Sequence, residues 1–179
     1  MKKIKINIFS LPFLLLLISG CDNGSPADSS DRMSVIGGKA SIVLPEGYVK
    51  MPESLLEIKY PQKAQRPQEA WYLESEGGKV SIAFSVTGSA ISDAQVPQFA
   101  GMMKEQLKAF TPEIVNVTIE GRKMSRLEMT TPAADGNIFN VMQLSSFNGK
   151  MMISTFNVTE DLKDKYSEQA KKALSSLRY

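Results

Sequence analysis

Residues 79–87 restrict the fold more than any other stretch of this chain. Val80, Ile82, Phe84 and Val86 alternate with Ser81, Ala83, Ser85 and Thr87, the two-residue period of a strand with one apolar face. Glu76-Gly77-Gly78 precedes them as a turn-forming cluster, so residues 71–75 and 79–87 read as a hairpin. The same logic recurs along the chain. In residues 39–45, Ala40, Ile42 and Leu44 alternate until Pro45-Glu46-Gly47 stops the run. Residues 114–119 place Val115, Val117 and Ile119 on one face, residues 122–130 follow Gly121, and residues 138–147 follow Gly136. Asn148-Gly149 is a tight-turn pair leading into residues 150–158. A short strand is expected around residues 57–60, ahead of a loop that carries Pro61 and Pro67.

Two stretches switch to the helical period. Val96, Phe99, Met103, Leu107 and Phe110 fall three or four residues apart and mark one face of an amphipathic helix. Ser92-Asp93-Ala94-Gln95 suits a capping box. Pro97 prefers the first helical position, so the regular part begins near Val96. Near the carboxyl end, Leu162, Tyr166, Ala170, Ala173 and Leu177 form a second stripe. Thr159 is placed to cap it, Glu160 and Asp161 suit its positive end, and Lys171 and Lys172 lie towards the other. Strands clustered around two amphipathic helices, without regular βαβ alternation, predict an α+β domain with a mainly antiparallel sheet.

The residue totals exclude several function classes. There is no histidine, and Cys21 is the only cysteine. Ser-His-Asp and Cys-His nucleophile pairs, zinc sites of the usual Cys/His types and an intramolecular disulfide are therefore ruled out. Lysine and arginine number 21 against 19 acids. Three of those lysines, Lys2, Lys3 and Lys5, precede an apolar run. A chain cut behind that run would hold 18 basic residues against 19 acids, which argues against a nucleic-acid partner. No cofactor or metal motif is found, and carboxylate pairs such as Glu74 with Glu76 or Asp161 with Asp164 read as solvated turn and helix-start residues.

The amino end has the layout of an export signal, with early lysines followed by apolar residues 8–18 that Ser10 and Pro12 interrupt. About eleven apolar-rich residues are too few for a spanning helix. Ile18-Ser19-Gly20-Cys21 resembles the lipobox of bacterial lipoproteins, which implies cleavage before Cys21 and acylation of its thiol. Asp22 resembles the inner-membrane retention signal of enteric-type bacteria. That implies an anchor on the periplasmic side of the inner membrane, with the outer membrane as the alternative. The expected organisation is a signal peptide over residues 1–20, a lipidated Cys21 with a disordered tether over residues 21–35, and one domain over residues 36–179. The polar, aperiodic tether has an r.m.s. span of roughly 20 Å.

The order of elements, together with the opening Leu44-Pro45-Glu46-Gly47-Tyr48, resembles the DcrB-like lipoproteins, which share the PsbP-like fold. The resemblance implies a sheet sandwiched by helices and a non-enzymatic, periplasm-facing role in binding another envelope or secreted protein. An accessory role and that of an immunity lipoprotein neutralising a secreted type VI toxin are the two readings it leaves. It supplies no catalytic residues.

For partner contact the candidates are Tyr60, Lys63, Arg66 and Trp71. Pro61 and Pro67 keep their segment extended, which lowers the entropy cost of ordering it, while Lys63 and Arg66 offer donors between two aromatic anchors. A plain connecting loop, with Trp71 in the core, is the alternative. The pairs Met102-Met103 and Met151-Met152 stand out because adjacent residues cannot share one face of a strand. They are read either as core filler or as the lining of an adaptable groove.

Overall fold

The structure, a computed structural model, describes residues 31–133 and 136–179. Cys21 and Asp22 lie outside these residues. Among the described residues nine strands and three α-helices follow in the order β1 (Met33–Val35), β2 (Ala40–Ile42), β3 (Tyr48–Lys50), α1 (Glu53–Lys59), β4 (Glu69–Leu73), β5 (Val80–Ala90), α2 (Val96–Gln106), β6 (Glu113–Ile119), β7 (Arg122–Ala133), β8 (Gly136–Phe147), β9 (Lys150–Thr159) and α3 (Lys163–Ser175). Seven strands form one sheet in the order β3-β4-β5-β9-β8-β7-β6, while β1 and β2 pair separately. All pairings are antiparallel.

Strand alternation sorts the core into two layers. On one face, Ile82, Phe84, Val141, Phe156 and Val158 pack against Tyr166, Ala170, Ala173, Leu174 and Leu177 of α3. On the other, Leu127, Met129, Leu144 and Met151 pack under Val96 and Ala100 of α2, and Ala70 and Ala83 under Leu56 of α1. The molecule is therefore an α/β/α sandwich, with α1 and α2 side by side across one face. Both residues of the pair Met151-Met152 are buried, one in each layer, whereas on α2 Met102 is exposed and Met103 is half-buried against the layer beneath the helix.

The start of α2 follows local chemistry. Gln95 accepts hydrogen bonds from the Ser92 backbone N–H (2.9 Å) and hydroxyl (2.8 Å), and the helix starts at Val96 with Pro97 in its first turn. Beneath the C-terminal turn of α3 lies a buried polar seam. Arg126 Nε donates to Gln143 Oε1 (2.9 Å), Arg126 Nη2 to Ser175 Oγ (2.7 Å), and Gln143 Nε2 to the Leu174 carbonyl (3.0 Å). The guanidinium thus meets the negative end of the helix, and burial pulls its pKa below the usual arginine value.

Three expectations need correction. Residues 57–60 are not a strand: Glu53–Lys59 is a helix that buries Leu56, with Leu55 and Tyr60 half-buried beside it. Its seven residues carry too few apolar positions for the 3.6-residue period to emerge. The helices on the sheet are consequently three rather than two. Order also begins before residue 36, because β1 pairs with β2 and Val35 is wholly buried in the core. An apolar residue shielded by a neighbouring strand gains more than the polar composition of residues 22–34 suggests.

Candidate functional site

Between α1 and the β7–β8 hairpin, the sheet face that carries α1 and α2 is left open over β8 and β9. The result is a cleft of about 930 Å³. Its floor is polar because alternation brings Ser81, Asn140 and Asn157 to this face, Asn140 lying directly opposite Asn157 across the β8–β9 ladder. One wall is the end of α1, with Ile58, Lys59 and Tyr60; the others are the turn at Gly77 and Gly78 and the hairpin residues Ala133, Gly136 and Asn137. Gly78 adopts a φ of +83°, and a Cβ there would lie 3.1 Å from Lys59 Cε. Glycine therefore lets the turn pass this close to α1.

The polar groups of the floor form two hydrogen-bonded sets, one around Tyr60 and one around Asn140. Asn157 Nδ2 donates to Tyr60 Oη (3.3 Å), while Asn140 Nδ2 donates to Thr131 Oγ1 (3.0 Å) and the Ile138 carbonyl (2.9 Å). Burial pushes the Tyr60 phenol above its ordinary pKa, against hydrogen bonds from Ser81 and Asn157, so at neutral pH it remains an uncharged donor and acceptor. Among the described residues the cleft's carboxylates stand at the rim, where Glu160 accepts from Asn137 Nδ2 (2.9 Å) and Asp161 pairs with Lys79 at 3.7 Å. Above the rim, Ile58 is 76% exposed. Amides, hydroxyls and a neutral phenol bind by hydrogen bonding, and Ile58 adds an apolar contact.

The four contact candidates are split by the fold. Tyr60 lines the cleft, and Lys63 is exposed on the single 3-10 turn Lys63–Gln65 that follows α1. Arg66 is a brace: its Nε donates to the Tyr60 carbonyl (3.2 Å) and its Nη1 contacts Glu57 Oε1 at 2.7 Å. Trp71 is withdrawn from the set, because its side chain points to the opposite face of the sheet and lies in the α3 layer at 8% exposure. Glu74 and Glu76 do not act as a pair. Glu76 accepts from Lys165 Nζ (2.8 Å) and Tyr166 Oη (2.5 Å), tying the β4–β5 turn to α3.

Sequence reasoning missed Asn140, Asn157 and Ser81, which lie on three strands and converge only through pairing. The one legible sign was two asparagines on strands otherwise rich in apolar residues. A smaller hollow of about 410 Å³ lies where Phe110 and Thr111 approach Glu128 and Lys163. Of its charged groups, Glu128 pairs with Lys171 at 2.9 Å and Lys163 lies over the Phe139 ring at 4.4 Å, while Glu113 at its edge is exposed. Among the described residues no cluster of His, Cys, Asp or Glu is arranged to hold a metal, and no helix is long and apolar enough to cross a membrane.

No family model and no curated protein matches the chain. Solved structures do. The chain is similar to the cyanobacterial PsbP protein CyanoP from Synechocystis, with a TM-score of 0.52 at 13% identity over 82% of this chain and 90% of that one. It is also similar to a protein from Bacteroides thetaiotaomicron, with a TM-score of 0.53 at 9% identity, spanning 83% of this chain and 47% of that one. LpqN of Mycobacterium tuberculosis, described as involved in cell envelope biogenesis, matches at a TM-score of 0.47 and 13% identity over 77% of this chain and 81% of that one. The fold is PsbP-like, a mainly antiparallel sheet with helices packed on it.

Proposed function

We propose that this chain is a lipid-anchored protein of the bacterial envelope, held by an acylated Cys21 with its domain facing the periplasm. In this reading it binds another protein without turning over a substrate, as DcrB-like accessory lipoproteins do. The observation that carries the binding role is the cleft beside α1, whose floor of Asn140, Asn157, Ser81 and Tyr60 is built to hydrogen-bond and whose carboxylates are engaged at the rim. The exposed Ile58 and Lys63 extend the surface onto the outside of α1 and the loop behind it. The anchor is supported by Gly20-Cys21 behind the apolar run. Several acyl chains hold a protein at a bilayer where one does so only marginally.

The test is photo-crosslinking from position 58 of the full-length chain in native membranes. A discrete protein adduct is expected, and the charge reversal Lys63→Glu should reduce its yield several-fold. Because Lys63 is exposed, that variant should unfold within about 0.5 kcal/mol of the parent. Adducts with lipid alone, or a yield indifferent to Lys63→Glu, would remove this surface from the binding role.

A further inference from the structure

The two edges of the seven-stranded sheet are treated differently. The β3 edge is three residues long, ends at Lys50 and is followed by Pro52 and α1, devices that discourage further pairing. The β6 edge has none of these within the strand. It runs for seven residues, Glu-Ile-Val-Asn-Val-Thr-Ile, pairs with β7 through seven consecutive rungs without a bulge, and carries a single charge, Glu113. Among the described residues β6 has a strand neighbour on one side only, so alternate backbone N–H and C=O groups point outward unpaired. Val115, on this strand, is 46% exposed.

We infer that β6 is a self-association edge: two copies of this chain join β6 to β6 antiparallel about a two-fold axis through Asn116, making one continuous sheet. The sequence of β6 is self-complementary in that register. Val115 faces Val117 of the second copy, and the symmetric repeat doubles the contact, so four valines close over each other on the α3 face. Ile114 faces the second copy's Thr118, and Glu113 its Ile119. The rung of Ile119 continues to Arg122, which brings the one acid of each β6 towards a guanidinium of the other copy. An in-register parallel pairing would instead stack Glu113 on Glu113. Charge thus favours the two-fold arrangement, and an isologous interface closes at two copies.

The register gives a direct test in the full-length chain. At the axis the two Cα atoms of residue 116 lie about 4.5–5.5 Å apart, within disulfide reach. Glu113 and its copy are six residues apart along the ladder, roughly 20 Å. With Cys21 replaced by Ser in every chain, so that no second thiol competes, Asn116→Cys should give a covalent dimer under oxidising conditions with about tenfold higher yield than Glu113→Cys, while Cys21→Ser alone gives none. Val117→Lys combined with Asn116→Cys should reduce that dimer several-fold. Urea unfolding under reducing conditions, followed by Trp71 fluorescence, checks that each variant folds. Equal crosslinking at 113 and 116, the absence of covalent dimer from a folded Asn116→Cys chain, or a disulfide to a different polypeptide would each overturn the inference.

Discussion

The polar seam under α3 yields a sharp stability test. Gln143 is wholly buried and serves two partners at once, accepting from Arg126 Nε and donating to the Leu174 carbonyl. Gln143→Leu keeps the volume but leaves a guanidinium N–H and a helix-end carbonyl without partners inside the core. Each orphaned group costs about 1–3 kcal/mol, more when charged, so the loss should be about 3–5 kcal/mol. At roughly 2–4 °C per kcal/mol for a domain near this size, Tm should fall by about 10 °C or slightly more. Trp71, the only tryptophan and itself in the α3 layer, reports urea unfolding of that layer. Arg126→Leu with Gln143→Leu removes both the charge and its acceptor. The double variant should therefore lose less than the sum of the singles, by about 1–3 kcal/mol. A Gln143→Leu chain within about 1 kcal/mol of the parent, or strictly additive singles, would refute the view that the seam is a mutually dependent network.

Two further outcomes follow from groups already described. Lys165 first, and the Tyr166 hydroxyl second, hold the Glu76 carboxyl below its ordinary value of 4.5. Its contribution to stability is thus fully present above that value and is lost as pH falls through the lowered folded one. Urea midpoints of the parent and Glu76→Gln should differ most near neutrality and converge as pH falls below the lowered folded value; a constant difference would argue against the contact. Cys21→Ala should leave an unprocessed precursor without acyl label, read by mass spectrometry of the membrane fraction. A normally matured, membrane-held product from that variant would end the lipoprotein reading.

What could be read from the chain depended on whether the cause was local. The alternation of Val80, Ile82, Phe84 and Val86, the Asn148-Gly149 turn and the stripe from Leu162 to Leu177 each lie within one element, and all three reappear in the fold. Residues 53–59 escaped because a helix of two turns carries too few apolar positions to display its period. β3 escaped because a three-residue strand has hardly any pattern to show.

The chain by itself determined the α+β class, most strand and helix positions, the capping box ahead of α2 and the lack of histidine and disulfide chemistry, since periodicity, turn residues and composition act over a few neighbours. Only the tertiary structure decided that Tyr60 and Trp71 face opposite sides of the sheet, that Asn140 meets Asn157 beside α1, and that β6 rather than β3 is left as the long open edge. Those outcomes depend on which strands pair and in what register. Pairing is set by the burial of two whole faces at once, a condition spread over the full length of the chain and carried by no single segment.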